Sequence, residues 1–194
     1  MINKKDITGI ILAGGKSSRM KSDKGLLALG ESLFIENIIN AASPLVKSII
    51  IVSNSSHYDE FGYKRVEDLI KNSGPVAGVY TGLKHSKTDY NLVLSCDIPL
   101  ITTEVLEKLI INTDEYSDVV QIVSQGKTMP LVALYKKKCA SIFEDLLNKG
   151  EKRLIYAVNQ LHVKTIEIDP TMDKQVENIN TFEQLITLRN EFEY

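Results

Sequence analysis

The 194-residue sequence contains no tryptophan, two cysteines, three histidines and five prolines. Each shortage argues against a class of function. Cys96 and Cys139 form neither a disulfide framework nor a metal-ligand spacing. His57, His85 and His162 stand alone, with no serine, cysteine or acidic partner at the spacing of a triad or a metal site, and read as structural or surface residues. Neither sign of charge is in excess: 23 Lys and Arg face 25 Asp and Glu, a net charge of −2. A general nucleic-acid surface is usually strongly basic, so none is expected. No run approaches the ~20 apolar residues of a membrane span. The apolar stretch ending at Leu12 is broken by Thr8 and Gly9 and is too short for a secretory signal. The expectation is a cytoplasmic protein with no nucleic-acid or membrane partner.

What is present suits a globular chain, at 43% hydrophobic and 25% charged residues. The length fits one domain, residues 1–194. Short β-branched runs alternate with helical patterns, which argues for an α/β domain with a mostly parallel sheet. Strands are expected at Thr8–Leu12, Ile49–Val52, Lys64–Val66, Asn91–Ser95, Asp118–Val123, Leu131–Tyr135 and His162–Ile168. Helices are expected at Leu33–Ala42, Pro75–His85, from a cap at Thr102 or Thr103 to Ile111, at Lys137–Asn148 and at Lys152–Asn159. Thr181-Phe182-Glu183-Gln184 has the form of a capping box for a terminal helix.

The most informative segment is Leu12-Ala13-Gly14-Gly15-Lys16-Ser17-Ser18-Arg19-Met20, followed by Lys24-Gly25-Leu26-Leu27. A strand that opens into glycines lets backbone N–H groups approach an anion without a Cβ in the way. Lys16, Arg19 and Lys24 can then neutralise a polyphosphate. The segment misses a Walker A loop, because the required first glycine falls on Ile10. It also misses the dinucleotide fingerprint, because the next glycine after Gly15 is Gly25. It does match the nucleotidyltransferase pattern of L-A-G-G, then S-x-R-M, then a lysine.

Asp97, in Cys96-Asp97-Ile98-Pro99, closes a strand expected at the centre of the sheet. Ligands collect at the carboxyl ends of such strands, and an aspartate there suits Mg²⁺. Asp68 precedes the glycine-marked Gly74-Pro75-Val76-Ala77-Gly78 and is a candidate contact to base, ribose or metal. Gly78, one turn into a helix, costs ~1 kcal/mol against alanine, so something there needs close backbone approach. Asn178 and Asn180 precede the terminal helix; their residue types alone fit turn formation. Lys136-Lys137-Lys138 reads as a solvated face.

Together these segments, with Pro130–Leu134 and Asn178-Ile179-Asn180-Thr181, resemble the molybdenum cofactor guanylyltransferases over nearly the whole chain. That family is a branch of the nucleotidyltransferases. The resemblance implies a Rossmann-like (GT-A-like) three-layer sandwich. It implies transfer of GMP from GTP to molybdenum-loaded molybdopterin, releasing pyrophosphate. Carried onto this sequence, the family's nucleotide contacts fall on Leu12, Ala13, Gly14, Lys24, Asp68 and Asp97, and Gly15 beside them is a further nucleotide-binding candidate that favours guanine. Its Mg²⁺ ligand falls on Asp97, and catalysis on Arg19, Lys24 and Asp97. Gly78, Asn178 and Asn180 become candidates on the acceptor side. Other cofactor-biosynthesis proteins and molybdoenzyme chaperones are implied as partners. The sequence departs from the family at Lys21, at Gly30-Glu31-Ser32-Leu33, and at Ser53, where some relatives carry a nucleotide-contacting asparagine; here Asn54 is adjacent. Two other readings stand beside this one. A cytidylyltransferase acting on molybdopterin or a small polyol phosphate tends to carry Ala-Ala-Gly in place of Ala13-Gly14-Gly15. A non-catalytic GTP- or cofactor-binding module has no need to keep Arg19, Lys24 and Asp97 together.

Overall fold

A computed structural model describes residues 2–14 and 23–192. Its elements, in chain order, begin with β1 (Ile7–Leu12), β2 (Ala28–Leu29), β3 (Ser32–Leu33), α1 (Phe34–Ala42) and β4 (Ser48–Val52). They continue with β5 (Lys64–Val66), α2 (Gly74–His85), β6 (Tyr90–Ser95), α3 (Thr103–Ile111) and β7 (Val119–Ser124). The last are β8 (Lys127–Lys136), α4 (Cys139–Asn148), α5 (Leu154–Val158), β9 (Val163–Glu167) and α6 (Phe182–Phe192).

Seven strands form one sheet in the order β5-β4-β1-β6-β8-β7-β9, and β2 and β3 form a separate hairpin. The inner strands are apolar on both faces, as a covered parallel sheet requires. On β1 the faces divide by alternation. Ile7 and Ile11 pack into a cluster with Ile35 and Ile38 of α1 and Val105, Leu106 and Leu109 of α3. Ile10 packs into a second cluster with Val79 and Leu83 of α2, Phe143 of α4 and Ala157 of α5. The sheet is thus the middle of three layers.

Only β8 runs against the rest: it is antiparallel to β6 and to β7, while the other pairings are parallel. The reversal is made at Gln125 and Gly126, with φ of 51° and 72°, the paired positive angles of a tight hairpin turn. The sequence pattern alone places β8 only at Leu131–Tyr135 and does not mark the turn, because Gln-Gly is a weak hairpin signal. Pro130 lies where the β7–β8 register slips between Gln121 and Ile122, a place where a missing N–H is tolerated. The helix expected at Lys152–Asn159 is shorter, Leu154–Val158.

His162 is exposed, in keeping with a surface residue, and its backbone N–H and its Nδ1 both lie 3.1 Å from Asp118 Oδ2, a partner 44 residues away that spacing does not reveal. Lys138, from the expected solvated face, pairs with the other oxygen at 2.5 Å. These residues meet at the amino end of β7. No helix among the described residues is long and apolar enough to cross a membrane.

The chain runs from β1 to β4 and β5 on one side, then returns to place β6 on β1's other side. This reversal opens a crevice at the carboxyl ends of β1, β4, β5 and β6, the usual ligand position in open α/β sheets. Leu12, Ser53, Asp68 and Asp97 all lie at or just beyond those ends.

Candidate active site

Leu12, Ala13 and Gly14 carry β1 to the crevice. Ala13 N–H donates to the Val52 carbonyl at 2.9 Å and Cys96 N–H to the Leu12 carbonyl at 3.1 Å. The sheet ladder therefore continues to the lip, and the loop departs from a fixed platform. Gly14 turns it with φ of +132°, a conformation rare for any L side chain. A Cβ there would also stand 3.3 Å from Ser53 Oγ. Gly15, Lys16 and Arg19 lie outside the described residues.

The described residues resume at Asp23. The Lys24 ammonium donates to Asp97 Oδ2 at 3.2 Å and to Asn180 Oδ1 at 2.6 Å. Asn178 Nδ2 donates to the other Asp97 oxygen at 3.1 Å. Between the two asparagines, Ile179 N–H donates to the Asp97 carbonyl at 2.8 Å. Two side chains, Lys24 and Asn178, thus meet on the Asp97 carboxylate, and Asn180 joins the cluster through the lysine. Lys24 and Asp97 are only 17% and 14% exposed, so the pair is better shielded than a surface ion pair. The asparagines, whose residue types alone suggested only turn chemistry, are the partners of the two charged groups.

The loop bearing them is anchored by the expected capping box. Gln184 Oε1 accepts from the N–H groups of Asn180 and Thr181, while Thr181 Oγ1 accepts from Gln184 N–H. Below it, Ile179 packs with Leu185 and Leu188 of α6 and Phe34 of α1.

Asp68 lies on the other side of the crevice and is paired with Asn54. The Asn54 amide donates to Asp68 Oδ2 at 2.9 Å, and Asp68 N–H returns to Asn54 Oδ1 at 3.2 Å. Ser53 is buried and its hydroxyl accepts from Ser55 N–H, so of these two neighbours Asn54 reaches the surface beside Asp68. Gly78 is buried too. A Cβ there would lie 3.3 Å from both Leu12 methyl groups and 3.8 Å from Asp68 Oδ1. The close approach expected at Gly78 is that of Leu12, which sets α2 tightly against β1.

Cys96 lies beneath the site. Burial, reinforced by the Asp97 charge, pushes its thiol up to about 12. It remains protonated at neutral pH and is not an activated nucleophile. Among the described residues, no three His, Cys, Asp or Glu side chains converge on a metal position. The donor set fits a cation held by one carboxylate together with substrate phosphates and water, which is how Mg²⁺ is commonly held.

Residues 9–163 match the model of the MobA-like NTP transferase domain. The chain belongs to the MobA-like NTP transferase family. It is 38% identical over 179 residues to a Flavobacterium johnsoniae protein named probable molybdenum cofactor guanylyltransferase, covering 92% of this chain and 94% of that one. A Clostridium perfringens protein of the same name is 37% identical over 182 residues, covering 90% and 91%. The crystal structure of molybdopterin-guanine dinucleotide biosynthesis protein A from Archaeoglobus fulgidus shares the fold. It has a TM-score of 0.81 at 22% identity, covering 96% of this chain and 98% of that one. The family match makes the chain a nucleotidyltransferase, and it includes Lys24, Asp68, Gly78 and Asp97. Asn178 and Asn180 lie beyond the matched span, joined to it by their bonds to Asp97 and Lys24.

Proposed function

We propose that the chain transfers GMP from GTP to molybdenum-loaded molybdopterin, forming molybdopterin guanine dinucleotide and pyrophosphate. Relatives at 37–38% identity carry the guanylyltransferase name. The observation that carries the reading is the Lys24 ammonium, bonded at once to Asp97 on the nucleotide side and to Asn180 on the loop assigned to the acceptor. A two-substrate phosphoryl site needs its charges at that junction.

An oxygen of the acceptor's terminal phosphate attacks the α-phosphorus of GTP. The bond from that phosphorus to the bridging oxygen of the β-phosphate breaks, and its electron pair leaves with pyrophosphate. Such a reaction depends on positioning and charge neutralisation more than on a protein nucleophile, in keeping with the protonated Cys96. Leu12, Ala13 and Gly14 form the wall against which the nucleotide lies, and Gly15 follows them in sequence as a further candidate contact. Asp68, oriented by Asn54, faces the base and ribose. Arg19 and Lys24 balance the charge of the triphosphate as it develops on the leaving oxygens. Asn178 holds the Asp97 carboxylate in one orientation, and Asn180 stands on the acceptor side. Gly78, expected on the acceptor side, is instead buried against Leu12 and beside Asp68, and so backs the nucleotide wall. Mg²⁺, held by Asp97, supplies further neutralisation of the phosphates. With this reading go a cytoplasmic location and transfer of the product to other cofactor-biosynthesis proteins and molybdoenzyme chaperones.

A cytidylyl donor is disfavoured by the Gly14-Gly15 pair. Thermal melting tests the choice, since a ligand that binds only the folded state raises its melting temperature. With Mg²⁺ present, GTP gives a larger rise than CTP at equal concentration; a larger rise with CTP contradicts the guanylyl assignment.

A further inference from the structure

Tyr58 lies on a 3-10 turn, Ser56–Phe61, after β4, 35 residues beyond Asp23 in the chain. It is fully buried and packs in the cluster containing Ala13, Cys96 and Ile98, the platform under the crevice. Phe61 stands beside it, with ring centroids 6.0 Å apart. A phenylalanine would satisfy that packing. The hydroxyl must therefore be accounted for, because a buried hydroxyl without a partner destabilises the fold.

Its partner is Asp23. The Tyr58 hydroxyl donates to Asp23 Oδ1, and the same oxygen accepts from Gly25 N–H at 3.3 Å. Asp23 caps the 3-10 turn Lys24–Leu26. The peptide segment carrying Lys24 is thus held on both sides by one carboxylate oxygen, and that oxygen is held by Tyr58. Gly25 completes the fit: a Cβ at this position would stand 2.4 Å from the Tyr58 hydroxyl oxygen. The glycine of Lys24-Gly25-Leu26-Leu27 is required by close approach of a side chain from the next crossover. Burial, with Cys96 and Asp23 adding to it, drives the Tyr58 pKa far above the usual phenol range, so the hydroxyl is a donor at every working pH.

We infer that Tyr58 is a positioning residue for Lys24, acting through Asp23 to aim the ammonium at the junction of Asp97 and Asn180. Tyr58 touches neither substrate nor reacting atoms. Its effect passes through the backbone at residues 23–25, and it ties the end of the glycine-rich segment to the crossover following β4. The inference rests on the proposed function only in assigning Lys24 a part in turnover.

The test is a double-mutant cycle. Tyr58→Phe keeps the ring and removes the hydroxyl. Its kcat/KM for pyrophosphate release falls about tenfold, the scale of one lost bond to a half-buried carboxylate. In a Lys24→Met background the same change has little further effect, within about twofold, because coupled residues are not additive. Asp23→Asn, which keeps an acceptor oxygen, stays near the wild-type rate, whereas Asp23→Leu reproduces the loss. Wild-type kcat/KM in folded Tyr58→Phe overturns the inference, as does an undiminished loss in the Lys24→Met background. Should Tyr58→Phe fail to fold, the two Asp23 variants decide by the same criteria. The cycle is also read as the Kd for α,β-methylene GTP, which needs no turnover. A wild-type protein inactive with every nucleotide contradicts the proposed function, and the binding cycle still upholds or overturns the coupling.

Discussion

Lys24 and Asp97 form the ion pair on which the site turns, and each substitution separates their roles. Asp97→Ala removes the carboxylate at the end of β6 and leaves both core clusters intact, because Asp97 belongs to neither. The variant folds, and Mg²⁺-dependent pyrophosphate release is abolished; turnover at the wild-type rate contradicts the metal assignment. Lys24→Met acts in two directions. It frees Asp97 Oδ2 from its 3.2 Å contact, so without nucleotide the variant binds Mn²⁺ more tightly than the wild type. The gain is roughly fivefold, the upper range of a partly exposed ion pair. The same variant binds triphosphate more weakly, because a cation has been lost. Calorimetry with each ligand reads both effects, and unchanged or weaker Mn²⁺ binding contradicts competition at Asp97. Individual residues were legible in the sequence where chemistry and chain position coincide. Asp97 stands at a strand end next to Pro99, and Lys24 follows the glycine-rich segment. Asn54 and Tyr58 gave no such signal, because their partners Asp68 and Asp23 lie 14 and 35 residues away and only the fold brings them together.

At the scale of elements, the apolar runs announced themselves. Ile49–Val52 and Leu92–Leu94 are buried on both faces, and continuous β-branched or leucine-rich runs have few other uses. The capping box at Thr181 and Gln184 was equally readable, because it is local chemistry. The hairpin between β7 and β8 was not. Gln125 adopts φ of 51° without the asparagine or glycine that normally marks such a turn. The strain is local, and so is the expected remedy. Gln125→Asn, giving Asn-Gly at the turn, stabilises the protein by about 0.5–1 kcal/mol, seen as a higher melting temperature with unchanged turnover. A lower melting temperature contradicts the assigned turn. The β2–β3 hairpin is likewise not legible in the sequence, because two-residue strands carry no period.

For the whole molecule, the strand order explains why distant motifs act together. The reversal at β1 gathers the ends of β1, β4, β5 and β6 on one edge, and the final loop returns Asn178 and Asn180 to that edge from beyond β9. The α/β class and the mostly parallel sheet followed from alternating patterns. The bonds that unite the two halves of the site did not, since Lys24 and Asn180 are 156 residues apart. In the proposed reaction the site has the form of two walls, a nucleotide side and an acceptor side, joined by one ammonium and one carboxylate. The most direct test of that account is pyrophosphate release from each of the four nucleoside triphosphates, with Mg²⁺, in the presence and absence of molybdenum-loaded molybdopterin. The account predicts release from GTP that depends on the acceptor, with formation of the guanine dinucleotide. Acceptor-dependent release with CTP in preference to GTP, or no release from any of the four, would contradict it.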